Sequence, residues 1–188
     1  ILPVKVSIRG DFNPSFGGSN PEPLPQNAPG LIEAIVKNGC DIGIATDGDA
    51  DRIGAFDEKG KFVDSHRIFA LLLKYFIEEK KMTGEVAKSF SVSQIIDKMC
   101  KKYGLVLHET PVGFKYLCRL MVEGDILIAA EESGGLAVKG HLPERDGTYI
   151  GLLLAEIMAT REKKLSELVT ELMEEFGWYY FNRNDAHL

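Results

Sequence analysis

Residues 47–52 read Asp47-Gly48-Asp49-Ala50-Asp51-Arg52. Three carboxylates alternate over five residues, and a guanidinium follows directly. Carboxylates this close repel one another, and a hard divalent cation with oxygen ligands relieves the repulsion. Strand-like apolar segments flank the run, Asp41–Thr46 before it and Ile53–Phe56 after it. The acidic loop is therefore expected at the end of a sheet, where α/β proteins tend to place their sites.

Four readings of this loop stay open at this level. In an EF-hand, Asp47, Asp49 and Asp51 would fill positions 1, 3 and 5 and Glu58 position 12, but Arg52 stands where a glycine is needed. In a haloacid-dehalogenase-like phosphatase, Asp47 would be the nucleophile, leaving Asp51 and Arg52 unexplained. A third reading uses all four charged residues. The aspartates hold Mg²⁺, a phosphate oxygen completes its shell, and Arg52 grips the same phosphoryl group with its planar fork. The bland alternative is a solvated acidic turn, since Asp and Gly are common turn residues.

Two further stretches carry polar groups at the ends of apolar elements. Ala130-Glu131-Glu132-Ser133-Gly134-Gly135 follows the strand-like run 126–129, and a carboxylate there can accept two hydrogen bonds from neighbouring hydroxyls. Lys139-Gly140-His141-Leu142-Pro143-Glu144-Arg145-Asp146-Gly147 leads into an apolar helix, with Asp146 a candidate N-cap. His141 titrates in the range a proton-transfer group needs. Gly113 opens a predicted helix, and helix N-termini favour anions.

Taken together, these motifs resemble the α-D-phosphohexomutases, the phosphoglucomutase/phosphomannomutase family. The resemblance lies in Asp41–Arg52, Glu131–Gly135, Arg145-Asp146-Gly147, Asn20-Pro21-Glu22-Pro23 and Thr110–Lys115, and runs through almost the whole chain. It implies that Asp47, Asp49 and Asp51 bind Mg²⁺ and that Arg52 contacts the phosphoryl group. It implies that Glu131 and Ser133 contact sugar hydroxyls, and that Lys88 and the Gly113 backbone approach the substrate phosphate. Arg145 stands at a basic position facing the cleft. Some members have a lysine there for proton transfer, a role an arginine fills poorly, which leaves His141 as the alternative.

The implied activity interconverts hexose 1-phosphate and hexose 6-phosphate of glucose or mannose through a phosphoserine, with a hexose 1,6-bisphosphate as intermediate and activator. Such enzymes have four domains. The chain resembles the later part of domain 2 (residues 1–64) and domain 3 (residues 65–188). The serine motif of domain 1 and the phosphate loop of domain 4 have no counterpart, so partner domains 1 and 4 and a phosphosugar substrate are implied. The alternatives are the phosphatase and a non-catalytic module binding a divalent cation or sugar phosphate.

The elements that must position these residues follow from periodicity. Helices are predicted over 29–38, 66–80, 93–103, 113–122, 146–160 and 166–176, with Ser65 capping the second. Strands are predicted over 4–8, 41–46, 53–56, 61–63, 85–90, 105–109, 126–130 and 178–181. Alternation after residue 65 implies an α/β layered sheet with helices on both faces. Residues 9–28, rich in proline and glycine, exclude helix and central strand. Phe56, Phe69, Phe76 and Trp178 read as core residues.

Composition bounds the rest. Hydrophobic content of 45% supports a packed core, and a net charge of −6 argues against a general nucleic-acid surface. No apolar run approaches the roughly 18 residues of a membrane span. The three cysteines form no Cys-x-x-Cys pair, so reduced thiols and a cytoplasmic address are expected. The chain starts at Ile1 with no signal-peptide pattern, so the expectation is a start inside a larger protein. Exposed edges of an incomplete sheet would then permit oligomerisation.

Overall fold

The computed structural model describes residues 6–181. Helix α1 (Pro29–Asn38) starts on a proline and ends at Gly39 in the left-handed conformation. A three-stranded antiparallel sheet follows, β1 (Gly43–Thr46), β2 (Ile53–Phe56) and β3 (Phe62–Val63), paired in that order. The acidic loop is the connection between β1 and β2.

The second sheet contains β4 (Glu85–Ser89), β5 (Leu107–Thr110), β6 (Ile126–Ala130) and β7 (Leu136–Val138) in the order β5-β4-β6-β7. β4 is parallel to both neighbours, and β7 returns antiparallel to β6. The crossovers are α3 (Ile95–Tyr103) and α4 (Phe114–Glu123). Helices α2 (Ser65–Glu78), α5 (Gly147–Arg161) and α6 (Leu165–Phe176) complete the chain.

Alternation along the strands divides the core. Ala87, Ile126, Ala129 and Ala137 face α4 through Phe114 and Leu117. Val86, Ile128, Leu136 and Val138 join the larger cluster with α2, α3, α5 and α6. The expected α/β layering with helices on both faces is therefore present. The larger cluster also takes in Ile53, Ala55 and Val63 of the first sheet. One continuous core thus runs across residue 64, and both sheets sit in a fixed relation.

Several expectations change. The helix cap at α2 is Asp64, whose carboxylate accepts from the Arg67 N–H at 3.0 Å. Ser65 is already helical, and its hydroxyl is spent on the Glu132 carbonyl. Residues 6–8 form no strand; residues 4 and 5 of that prediction lie outside the described residues. Residues 178–181 form no strand either, because no sheet edge meets them. They run past the start of α2, where the Tyr179 carbonyl accepts from Arg67 at 3.3 Å and Phe181 packs on His66 at 4.5 Å. Trp178 is exposed, unlike the buried Phe56, Phe69 and Phe76. In α1, Ile35 is buried and the neighbouring Val36 is exposed. Strand β7 has no counterpart among the predicted strands. No described helix is long and apolar enough to cross a membrane.

His66 sits buried in the first turn of α2 with its Nδ1 accepting from the Ser93 N–H at 3.2 Å. Burial pulls its imidazolium down despite the nearby Asp64 and Glu132. The unfolded chain therefore binds a proton that the folded chain refuses. Stability should be full above the unfolded value of about 6.5 and should fall as the pH drops through the window beneath it. Urea midpoints at pH 7.5 and pH 5.5 check this, and His66→Gln should flatten the difference.

Candidate functional site

The acidic loop is compact because Arg52 closes it from within. The Asp47 carboxylate accepts from the Arg52 backbone N–H at 3.0 Å and from its guanidinium Nε at 2.5 Å. The Asp47 side chain is only 2% exposed. Burial alone would push this carboxyl up, but the hydrogen bonds and charge of Arg52 outweigh it and hold it below the usual aspartate range. Asp51 goes the other way. Burial and the adjacent Asp47 and Asp49 raise it, against the opposing charge of Arg145.

Carboxylate oxygens from Asp47, Asp49 and Asp51 lie within 4.8 Å of one another. Opposite ligands of Mg²⁺ span roughly 4.2 Å, so small side-chain rotations close the set around such an ion. A cation there would offset the repulsion that Asp47 and Asp49 add to the effect of burial on Asp51. The donor set is all oxygen, which suits a hard divalent cation. These residues fit the metal that the loop implies.

Two other segments lock onto this loop through the backbone. The Ile53 N–H donates to the Gly134 carbonyl at 3.0 Å, beside an antiparallel bridge between Arg52 and Gly135. The Gly147 N–H at the start of α5 donates to the Ala50 carbonyl at 2.9 Å. Both glycines are needed for close approach. A Cβ on Gly134 would lie 2.5 Å from the Ile53 oxygen, and one on Gly147 would lie 2.5 Å from the Arg52 oxygen.

Side chains then bridge the same segments. Arg145 donates to Asp51 at 2.6 Å and lies over the Phe114 ring at 5.3 Å. Glu131 is buried, and its Oε1 accepts from the Gly113 N–H at 2.7 Å. Beyond Arg145 opens a trough of about 610 Å³ lined by Gly113, Lys115, Arg119 and Glu144 among others. The structure therefore brings together Asp47, Asp49, Asp51, Arg52, Glu131, Arg145 and Gly113, with the half-buried Ser133 in the same turn as Glu131.

Two expected participants already have partners of their own. Lys88 is 2% exposed, and its ammonium is held by Asp97 at 2.5 Å and Glu109 at 3.5 Å. Strand alternation turns it towards α3, so a phosphate would have to displace two carboxylates to reach it. His141 donates from Nε2 to Asp146 Oδ2 at 2.8 Å and stacks on Tyr149 at 4.1 Å. Asp146 also caps α5, accepting from the Tyr149 N–H at 2.8 Å. The Gly113 N–H, expected to meet an anion, already has the Glu131 carboxylate as its partner. Sequence reasoning missed Phe114 beneath Arg145 and the Gly147–Ala50 contact. The Arg-Asp-Gly spelling was the available signal for the latter.

Comparison with known proteins decides the family. Residues 64–176 match the model of phosphoglucomutase/phosphomannomutase alpha/beta/alpha domain III, and residues 3–60 match that of domain II. The chain belongs to the phosphoglucomutase/phosphomannomutase family. A phosphoglucomutase/phosphomannomutase of Thermococcus kodakarensis is 32% identical over 97% of the chain and 39% of its own length. A phosphoglucosamine mutase of Clostridium botulinum is 32% identical over 87% of the chain and 35% of its own length. The crystal structure of a candidate phosphomannomutase from Thermus thermophilus superposes with a TM-score of 0.84 at 37% identity, covering 89% of this chain and 38% of that one. The chain thus spans about a third of the length of the relatives it matches.

Membership fits a loop between two antiparallel strands. An EF-hand needs flanking helices, and here β1 and β2 flank the aspartates. The phosphatase reading leaves Asp51 and Arg52 without a role, whereas here Arg52 is bonded to Asp47 and Asp51 to Arg145.

The interlock makes a stability prediction. Gly147→Ala forces a methyl against two backbone oxygens that the loop holds in place. It should cost about 1–3 kcal/mol, as overpacking does. Urea denaturation measures it, and a variant of unchanged stability would show that the contact imposes no constraint.

Proposed function

We propose that this chain supplies the metal loop and the sugar loop of a phosphohexomutase that interconverts hexose 1-phosphate and hexose 6-phosphate of glucose or mannose. The observation that carries the reading is the backbone interlock of Asp47–Arg52 with Glu131–Gly135 and the start of α5. It holds a cation-binding carboxylate set and a hydroxyl-binding turn side by side. A phosphosugar presents those two chemistries side by side.

In this reading Asp47, Asp49 and Asp51 hold Mg²⁺, which when bound neutralises charge on a phosphoryl group. Arg52 and Arg145 offer their guanidinium N–H groups to the phosphoryl oxygens and stabilise the charge that spreads there during transfer. Arg145 must first exchange its bond to Asp51 for one to the phosphoryl group. Glu131 accepts from sugar hydroxyls, and Ser133 exchanges hydrogen bonds with them. The phosphoserine and the second phosphate loop are assigned to parts of the full-length protein beyond this chain. A P–O bond to serine breaks as one to the sugar forms, giving a hexose 1,6-bisphosphate, and the released hydroxyl proton needs an acceptor. Arg145 does not lose its own proton, so His141 on its Asp146 partner is the candidate.

Two measurements test the reading. In the full-length protein, Asp49→Asn should lower glucose 1-phosphate turnover by about 10²-fold or more, the scale of losing one preorganised electrostatic group. Retained turnover would sink the metal role. The 188-residue chain alone should show neither mutase activity nor phosphate release. Phosphate release by the chain alone would favour the phosphatase alternative.

A further inference from the structure

Three serine hydroxyls from three elements converge on Glu132. The Ser65 hydroxyl, at the start of α2, donates to the Glu132 carbonyl at 2.5 Å. The Ser89 hydroxyl, at the end of β4, donates to Glu132 Oε2 at 3.3 Å. The Ser91 hydroxyl, in the turn into α3, donates to the same oxygen. Ser89 and Ser91 are themselves 3.1 Å apart. Ser65 and Ser89 are buried.

A glutamate in a surface turn ordinarily keeps its rotamers and points to water. Here its carboxylate is committed, and hydrogen bonds to an ionised acceptor are roughly twice as strong as neutral ones. Removing the carboxylate would leave the Ser89 and Ser91 hydroxyls with each other in place of a charged acceptor, a weaker arrangement. The turn also has its own short-range bonds, from the Glu131 N–H to the Gly135 carbonyl at 3.0 Å and from the Gly134 N–H to the Glu131 carbonyl at 3.3 Å. Those bonds set its shape, but they do not fix where it stands relative to β4 and α2. Pairing of β6 with β4 brings the turn alongside β4, and Glu132 ties its tip to β4 and α2 with both its side chain and its backbone.

We propose that Glu132 is a positioning residue. Its serine-clamped carboxylate fixes the Glu131–Gly135 turn so that Glu131 and Ser133 meet the substrate's hydroxyls. What the turn binds rests on the mutase reading above; the clamp rests on geometry alone.

The test uses the full-length protein with Glu132→Ala, Glu132→Gln and the double variant Ser89→Ala/Ser91→Ala. Hydrogen exchange should accelerate about tenfold at residues 131–135 in Glu132→Ala and stay unchanged in β6 and α5, the signature of local release. KM for the hexose phosphate should rise about tenfold with kcat within about twofold, as loss of uniform binding requires. Glu132→Gln keeps an acceptor for the hydroxyls and should restore both to within about threefold. The serine double variant should reproduce Glu132→Ala and add nothing on top of it, since both remove one interaction. Unchanged exchange in Glu132→Ala overturns the clamp. So does exchange that rises throughout the domain with a fallen kcat and a constant KM, which is a merely structural role. Should the unsubstituted protein lack mutase activity, the mutase reading fails while the exchange measurement still decides the clamp.

Discussion

The acidic loop would push itself apart if backbone hydrogen bonds did not hold it. Two unit charges about 4.8 Å apart in an effective dielectric of 20 repel by about 3 kcal/mol, and the loop brings three carboxylates to that range. Ala50 adds strain, since it adopts a left-handed conformation at φ 61° that costs a residue with a Cβ about 1–2 kcal/mol. Such a loop persists only where its surroundings over-determine it. Those surroundings are the Gly147 N–H on the Ala50 carbonyl, the Ile53 N–H on the Gly134 carbonyl, and Arg52 folded back on Asp47. The positions of α5, β2 and the Glu131–Gly135 turn all follow from that need.

The two arginines divide the counter-charge between them. Arg52 belongs to the loop and serves the most buried carboxylate, so its bond to Asp47 is part of the local fold. Arg145 comes from another segment, serves the more exposed Asp51 and sits over the Phe114 ring. Opposite shifts in the two carboxyls report this division. Asp47 is well satisfied and lowered, while Asp51 is raised by burial and by its acidic neighbours even with Arg145 beside it. The loop is therefore neutralised incompletely from within. That leaves room for one further positive charge, and it makes Arg145 the group whose bond is most readily exchanged.

What could be read from the sequence was what short-range chemistry dictates. The acidic loop, its flanking strands, the Asp146 cap and the alternating helices and strands of the second sheet each follow from residues close in the chain. The failures concern partners far apart. Lys88 looked available until Asp97 and Glu109 were seen to enclose its ammonium, and those carboxylates lie 9 and 21 positions away. The aromatic run at 178–181 had strand propensity but no edge to pair with. Ser65 lost its capping role to Asp64 because its hydroxyl is needed 67 positions further on, at Glu132. Glu132 itself lay inside a recognised motif with no role assigned, since nothing local shows three serines arriving at it.

The continuity of the core limits how such a site can choose its substrate. Residues on both sides of position 64 share one apolar cluster, with Ile53, Ala55 and Val63 packed among the residues of α2, α5 and the second sheet. Swinging the acidic loop away from the Glu131–Gly135 turn would break the Arg52–Gly135 bridge, the Gly147–Ala50 bond and that packing together. The two loops therefore present a fixed spacing to any ligand. In the proposed reading, discrimination among hexoses then comes from the side chains on this frame, Glu131 and Ser133 above all. Glu131 already has a partner in the Gly113 N–H, so a sugar hydroxyl must share that carboxylate or replace the helix end as its donor. A bound sugar would thus be sensed at the start of α4 as well as at the turn.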